Sequence, residues 1–203
     1  MLWQAVSRRR QTYREALAHM AFAVILYLDP VTDAEVRSLW QLLSERQISS
    51  VMTDMGIRPH ISLAGFEHVE AESFCQALDV FAQSTRPVTV RFEAVGTFPT
   101  EKGVVYLAPV VTLELLQLHG KFYHLITELG LVSDEYYVPG NWVPHCTLAI
   151  NLTPDEVAAA VTFGCQSNVF HTAALTHISL VEYMPIREIC TFPFGGTHHV
   201  ESH

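Results

Sequence analysis

Two segments of the chain place a histidine and a hydroxyl residue two positions apart, directly after a proline. Residues 59–63 have the sequence Pro-His-Ile-Ser-Leu, and residues 144–148 have the sequence Pro-His-Cys-Thr-Leu. An imidazole has an unperturbed pKa of about 6.5, so it can take up or release a proton near neutrality. A hydroxyl can donate a hydrogen bond to an anionic oxygen. Two such segments together predict one bipartite site that presents two imidazoles and two hydroxyls.

The spacing of these residues is that of a β-strand with two different faces. Side chains alternate along a strand, so His60 and Ser62 share one face and His145 shares a face with Thr147. The intervening residues point to the opposite face, which directs Cys146 into the core and argues against its use as a nucleophile. A proline suits the start of a strand because it has no N–H to pair. Each segment is therefore predicted to bury an apolar face and to present an imidazole and a hydroxyl on the other.

The same order of elements, namely strand, helix, histidine strand, helix and strand, occurs twice along the chain. In the first half, Thr32 and Glu35 form a predicted capping box that starts a helix. The predicted elements of this half are a strand at 21–28, a helix from 32 to about 46, the histidine strand from 60, a helix at about 70–83 and a strand at 88–95. The second half has a strand at 104–109, a helix at 113–129, the histidine strand from 145, a helix from 154 to about 164–167 and strands at 175–183 and 188–194.

This repetition predicts an α+β fold with internal duplication. Two pseudo-symmetric α/β lobes, at about 21–97 and 103–195, would carry mixed sheets that flank a central cleft, and each lobe would contribute its histidine strand. Residues 101–103 are the predicted link, with a hairpin inside one continuous structure as the alternative. The whole chain, 1–203, is interpreted as a single domain, with an N-terminal helix in 1–20 and a flexible tail at 196–203.

The paired motifs and the repeated order of elements resemble the 2H phosphoesterase superfamily, which includes 2′-5′ RNA ligase-like (LigT-like) proteins and cyclic nucleotide phosphodiesterases. The motifs match its two H-x-[S/T]-hydrophobic signatures, known in short as HxT motifs. The resemblance implies metal-independent chemistry on a 2′,3′-cyclic phosphate or a 2′-5′ linkage. It makes His60 and His145 the catalytic pair and assigns phosphate binding to Ser62 and Thr147.

Two further residues near the motifs are candidates for substrate binding. Arg58 has the parity of His60 along the strand and is a candidate for pairing with phosphate, with a solvated surface arginine as the alternative. Trp142 is a candidate for stacking on a base, with a buried loop tryptophan as the alternative. The sequence does not decide which histidine is the acid and which is the base, because that depends on how the substrate lies.

A third match to the motif occurs at residues 177–180, which have the sequence His-Ile-Ser-Leu. It has no preceding proline and no counterpart in the repeated order of elements. We therefore interpret it as a coincidence.

Composition limits the substrates that are compatible with this chemistry. The 203-residue chain has a net charge of −9 and only 12 Lys and Arg residues. A surface for a long nucleic acid would be basic, so duplex or extended RNA binding is disfavoured. The expected partner is a small nucleotide or an RNA end with a cyclic or 2′-5′ phosphate, which is compatible with RNA processing. No cofactor, metal or membrane partner is predicted, and protein partners are not indicated.

The cysteines and the apolar segments indicate a cytoplasmic location. Cys75, Cys146, Cys165 and Cys190 are widely spaced without a Cys-x-x-Cys pair, which predicts scattered buried thiols in a reducing compartment. The apolar run at 21–28 is far shorter than the roughly 20 residues of a membrane span. It is followed by Asp-Pro and not by a small-residue cleavage site, so it is predicted to be a buried strand and not a signal peptide.

The leading hypothesis is therefore a phosphoesterase that opens 2′,3′-cyclic phosphates or cleaves 2′-5′ phosphodiester bonds, with ligation of RNA ends as a variant. A nucleotide-binding module with the same cleft and little or no turnover is the alternative. A metal-dependent hydrolase is a third class, which the absence of a His/carboxylate ligand set at the usual spacing disfavours.

Overall fold

The computed structural model describes residues 20–183 and 185–195. The predicted N-terminal helix and the predicted tail at 196–203 lie outside these residues. None of the helices in the described part of the chain is both long and apolar enough to cross a bilayer.

Seven strands within the described residues form one antiparallel sheet with the order β2-β1-β6-β3-β4-β5, and β7 pairs with part of β6. The strands are β1 (Phe22–Leu28), β2 (His60–Phe66), β3 (Val88–Phe98), β4 (Gly103–Pro109), β5 (Cys146–Leu152), β6 (Thr172–Glu182) and β7 (Arg187–Pro193). The two histidine motifs thus lie at the starts of β2 and β5, the two ends of this strand order. The α+β class is confirmed.

Five α-helices and one 3₁₀ turn connect the strands of the described segment. They are α1 (Pro30–Glu45), α2 (Val51–Met55), α3 (Ala71–Ser84), α4 (Leu113–Glu128), the 3₁₀ turn Glu135–Tyr137, and α5 (Pro154–Cys165). The sequence did not predict α2 or the 3₁₀ turn, because both are too short for a helical period to be visible. The ends of the four longer helices lie within about two residues of their predicted positions.

Strand β1, between β2 and β6, is buried on both faces, as its continuous apolar sequence predicted. Val24 and Leu26 belong to the main core beneath the helices, whereas Ala23, Ile25 and Tyr27 belong to a smaller cluster on the opposite face of the sheet. Tyr27 is the cross-strand neighbour of His60 on β2. Because cross-strand neighbours share a face, His60 also lies on this second face.

The start of α1 differs from the expected capping box. The carboxylate of Asp29 caps the helix by accepting hydrogen bonds from the backbone N–H groups of Val31 and Thr32. Pro30 occupies the first turn, where a missing N–H costs nothing, so the helix begins two residues earlier than predicted. Glu35 hydrogen-bonds instead to Nε2 of His171, at 2.5 Å.

The strand pairing does not follow the two predicted lobes. β6, from the second half of the chain, pairs along one edge with β1 and along the other with β3 and β7. The limit at 97–103 does not separate two sheets, since β3 and β4 form a hairpin across it. All pairings among the described residues are antiparallel, where the sequence predicted mixed sheets.

The prediction of four unpaired thiols is wrong for two of them. Cys75 on α3 and Cys190 on β7 form a disulfide, with their Cα atoms 6.2 Å apart. Cys146 is a buried free thiol, and Cys165 is free and exposed. The spacing of the cysteines could not reveal the bond, because it depends on α3 packing against β7. The inference of a reducing compartment from scattered thiols therefore loses its basis, and a cytoplasmic location stays a prediction.

Candidate active site

The two histidine motifs lie side by side because β2 and β5 contact each other, although they end the strand order. Two contacts join them. The backbone N–H of His60 lies close enough to the thiol of Cys146 to oppose the rise of its pKa. The indole N–H of Trp142, in the loop before β5, donates to the backbone carbonyl of Ser62 at 2.9 Å. The sheet therefore curls enough to bring its two ends together at the motifs.

Both imidazoles are oriented by the same local contact. Nδ1 of His60 lies 2.6 Å from the carbonyl oxygen of Arg58, and Nδ1 of His145 lies 2.7 Å from that of Val143. In each case the acceptor is the carbonyl two residues earlier in the chain. Since a carbonyl only accepts hydrogen bonds, Nδ1 must carry the proton in both rings. This tautomer leaves Nε2 of each histidine with a lone pair for proton transfer.

The surroundings keep both histidines neutral in the ligand-free protein. Burial lowers the pKa of His60 to about 4, with a further lowering by the charge of His145 and an opposing effect of the Arg58 carbonyl. Burial also lowers the pKa of His145, against the effect of the Val143 carbonyl. The influence of His145 on the pKa of His60 shows that the two rings lie within electrostatic range. An anion bound between them would raise both pKa values, because it favours the imidazolium.

Aromatic side chains surround the ring of His145. Its centroid lies 4.9 Å from that of Phe98 and 5.3 Å from that of Tyr106, and these two rings stack on each other at 4.4 Å. Gly96 makes room for them, since a Cβ there would come within 2.5 Å of the Tyr106 ring. The position of Tyr106 beside His145 was not predicted, because it depends on the register of the hairpin between β3 and β4.

A tryptophan indole holds the backbone beneath each motif hydroxyl. Trp142 donates to the carbonyl of Ser62, and Trp40 on α1 donates to the carbonyl of Thr147 at 3.0 Å. The outer edge of an end strand has no neighbouring strand to satisfy its backbone groups, so these indoles supply the missing donors. The side chains of Ser62 and Thr147 have the parity of the histidines and are partly buried. The contact of Trp40 was not predicted, because it depends on the packing of α1 against β5.

The structure gives Trp142 a packing role in addition to its hydrogen bond. One face of its ring stacks on the buried His119, with centroids 4.1 Å apart and planes 4° apart. Nε2 of His119 is in turn held by the carbonyl of Tyr137 at 2.8 Å. Trp142 thus connects α4 to β2, which corresponds to the structural alternative. Base stacking on its second face stays a prediction.

Arg58 contributes to the site through both its backbone and its side chain. Its carbonyl orients His60, and its guanidinium lies over the ring of Tyr27, 4.0 Å from the centroid. Nε is 3.7 Å from a carboxylate oxygen of Asp33, which is beyond hydrogen-bonding distance. The side chain is 39% exposed, so the guanidinium can still receive an anion. Pairing with substrate phosphate stays a prediction.

The structure also confirms the expected position of Cys146, which is fully buried in the main core. Burial raises the pKa of its thiol to about 12. A thiol with such a pKa is protonated at neutral pH, so Cys146 is a packing residue and not a nucleophile.

The third motif lies on the same face of the sheet as the first. Tyr27 of β1 is paired with His60 of β2 on one side and with His177 of β6 on the other. Directly paired residues of antiparallel strands point to the same face, so the three side chains form one row. The interpretation of residues 177–180 as a coincidence took no account of this pairing, which sequence spacing does not reveal.

Comparisons with known proteins bear on the family and the fold of the chain. The family model of the 2′-5′ RNA ligase superfamily matches residues 25–183. A Bacillus licheniformis protein described as a candidate phosphoesterase is 33% identical over 105 residues, which are 49% of this chain and 57% of that protein. The chain therefore matches little more than half the length of this curated relative.

Solved structures with the same fold cover most of the chain. A Thermus thermophilus protein superposes with a TM-score of 0.57 and 18% identity over 88% of this chain and 100% of its own. Escherichia coli LigT in its apo form gives a TM-score of 0.55 and 16% identity over 86% and 97% of the two chains. LigT in complex with 3′-AMP gives a TM-score of 0.52 and 16% identity over 86% and 98%.

Proposed function

Because the chain belongs to the 2′-5′ RNA ligase superfamily, within the 2H phosphoesterases, we propose that it is a phosphoesterase acting by two-histidine acid–base catalysis. Its proposed substrates are nucleotides or short RNA ends with a 2′,3′-cyclic phosphate or a 2′-5′ phosphodiester bond. His60 and His145 are the proposed proton-transfer residues, and no metal takes part.

The proposed reaction uses the free Nε2 atoms of both rings. One Nε2 takes a proton from water as the water oxygen attacks phosphorus. The other ring, as imidazolium, gives its Nε2 proton to the ribose oxygen as the P–O bond breaks. One proton is thus taken up and one released, and the pair ends with its single proton on the opposite ring. Ser62 and Thr147 donate hydrogen bonds to the nonbridging oxygens, where negative charge develops.

The observation that carries the proposal is the matched orientation of the two imidazoles. Each donates Nδ1–H to the carbonyl two residues earlier, and burial lowers the pKa of each. A single histidine held by a carbonyl is common in protein interiors. Two histidines held identically on the contacting end strands of one sheet have the tautomer that acid–base catalysis requires.

The charge of the chain favours small substrates over long RNA. A net charge of −9 disfavours an extended basic surface for a phosphate backbone. The 3′-AMP complex of LigT is a nucleotide complex of a protein with the same fold, and it supports a nucleotide-sized ligand here.

The test is hydrolysis of 2′,3′-cyclic nucleotides and 2′-5′ dinucleotides in the presence of a strong chelator. His60→Ala and His145→Ala should each lower kcat on the order of 10² to 10⁴-fold. His124→Ala is the control, since this exposed histidine on α4 pairs with Glu128 of the same helix and should leave kcat unchanged. Activity that disappears with the chelator would exclude the metal-independent mechanism. A folded wild-type protein that binds 3′-AMP without any turnover would favour the binding-module alternative.

A further inference from the structure

A row of side chains extends from the first catalytic histidine across the sheet. His60 on β2, Tyr27 on β1 and His177 on β6 are successive cross-strand neighbours on one face. Adjacent strands are about 4.8 Å apart, so His60 and His177, two strands apart, are separated by roughly 10 Å. This distance suits two groups of one small ligand and is too long for one phosphate.

The guanidinium of Arg58 covers the middle of this row. It lies 4.0 Å above the Tyr27 ring. The pKa of His177 is lowered by burial and, to a smaller extent, by the charge of Arg58, against an opposing effect of Glu188, so the guanidinium lies within electrostatic range of that ring. Two acidic side chains lie nearby. Asp33 is 3.7 Å from Nε, and Glu188 accepts a hydrogen bond from the Tyr27 hydroxyl at 2.5 Å. A planar guanidinium with open N–H groups is the side chain best suited to phosphate.

The imidazole of His177 is available to a ligand in a way that the serine of its motif is not. His177 is partly buried, and its Nδ1 is 2.9 Å from the hydroxyl of Thr176. Nε2 is therefore the ring nitrogen left for a ligand. The hydroxyl of Ser179 instead donates to the carbonyl of Cys190 and accepts from Thr191, which places it in the sheet's own hydrogen bonding. The third motif thus offers a histidine without a second phosphate-binding hydroxyl.

We propose that Arg58 and His177 form a second anion subsite, which binds a phosphate on the 5′ carbon of the same ribose whose 2′,3′-cyclic phosphate lies between His60 and His145. This assignment rests on the proposed function and narrows its substrate class. One ribose carries its 5′ substituent and its 2′,3′-phosphate on opposite sides of the ring, which matches two phosphate positions along one row. The preferred substrate is then a 5′-phosphorylated ribose 2′,3′-cyclic phosphate.

The experiment compares two substrates that differ only at the 5′ position. Adenosine 2′,3′-cyclic phosphate and its 5′-phosphorylated form are assayed with wild type, His177→Ala, His177→Gln and the surface control His124→Ala. Wild type should prefer the 5′-phosphorylated substrate by about tenfold in kcat/KM, the usual effect of one hydrogen bond to a charged group. His177→Ala should reduce this preference to about twofold or less and leave kcat/KM for the 5′-hydroxyl substrate nearly unchanged. His177→Gln should keep part of the preference, because its amide can donate.

A third substrate identifies the form of the 5′-phosphate. A dinucleotide that ends in a 2′,3′-cyclic phosphate presents a diester at the same position. If kcat/KM exceeds that of the 5′-hydroxyl substrate equally for the diester and the monoester, the subsite is assigned to RNA ends. If only the monoester has the higher kcat/KM, the subsite is assigned to free nucleotides.

Two results would contradict the proposed subsite. The first is that wild type shows no preference between the 5′-hydroxyl and 5′-phosphorylated substrates. The second is that His177→Ala lowers kcat/KM equally for both, as expected of a structural residue. If wild type hydrolyses neither substrate, the proposed phosphoesterase function is wrong. The subsite is then tested by measuring ligand affinity. Calorimetry with adenosine 5′-monophosphate should then give about tenfold weaker affinity for His177→Ala than for wild type or His124→Ala. Equal affinities would refute it.

Discussion

The pH dependence of hydrolysis should reflect the lowered pKa values of both candidate catalytic histidines. Acid–base catalysis by the pair requires one protonated, charged imidazolium and one neutral imidazole. Burial lowers the pKa of His60 to about 4 and also lowers that of His145 below its ordinary value. This singly charged state of the pair is the main one only between the two pKa values. We therefore expect kcat/KM for a 2′,3′-cyclic nucleotide to be highest on the acid side of about pH 6.5, the ordinary histidine value.

The slopes of this profile follow from the same values. Above the higher pKa both rings are neutral, and the singly protonated fraction falls tenfold for each pH unit. An increase from pH 6.5 to 8.5 should then lower kcat/KM by about a hundredfold. Below the lower of the two pKa values both rings are charged and the base is lost. The bound substrate is anionic and raises both pKa values, so the alkaline decline of kcat should occur at higher pH than that of kcat/KM.

The assay measures initial rates from pH 4 to 9 at constant ionic strength, with circular dichroism at each pH as the control for folding. The control is necessary because His60 is held neutral in the folded state. Its folded pKa of about 4 lies below its unfolded value, so stability is full above about pH 6.5 and decreases as pH falls towards 4. A maximum of kcat/KM above pH 7.5, or a flat profile between pH 5 and 8 in folded protein, would refute the reasoning.

Two further predictions concern the contacts that hold the site in place. Replacing Trp142 or Trp40 by Phe keeps the ring and removes the N–H that satisfies an end-strand carbonyl. We expect the free energy of unfolding in urea to fall by about 1–3 kcal/mol and kcat to fall more than KM rises; an unchanged kcat would show that the indoles do not position the motifs. Reduction of the bond between Cys75 and Cys190, which are 115 residues apart, should remove about 2–4 kcal/mol of stability. Thermal unfolding with and without reductant measures this effect, and equal Tm values would show that the bond does not stabilise the fold.

Local features of the fold were predictable because they depend on residues close in sequence. The apolar run of β1 predicted a strand buried on both faces, and alternation correctly directed Cys146 into the core. Strand pairing was not predictable in this way. Nothing in the composition of β6 indicates that it joins β1, which lies at the other end of the chain. The expected lobes followed the sequence order, whereas the sheet is assembled from strands of both halves.

The candidate site shows the same division between local and distant information. The paired motifs and their resemblance to the 2H phosphoesterases made the two histidines and the two hydroxyls the candidates. The neighbours of the site were not, because Trp40, Phe98 and His177 reach it only through helix packing, a hairpin and strand pairing. Trp142 was singled out from the sequence, but its hydrogen bond to β2 required the contact between the two end strands.

The proline before each histidine explains why the imidazoles are oriented alike although their surroundings differ. A proline restricts the preceding residue to extended conformations, and its own φ is fixed near −65°. The direction of the carbonyl two residues before the histidine is therefore limited, and in both motifs that carbonyl accepts the Nδ1 proton. The tautomer with a free Nε2 is thus set by three consecutive residues. His177, which follows a threonine, has its Nδ1 beside a hydroxyl that can donate or accept, so its tautomer can adapt to a ligand. Fixed tautomers suit proton transfer, whereas an adaptable one suits binding, and this difference separates the first two motifs from the third.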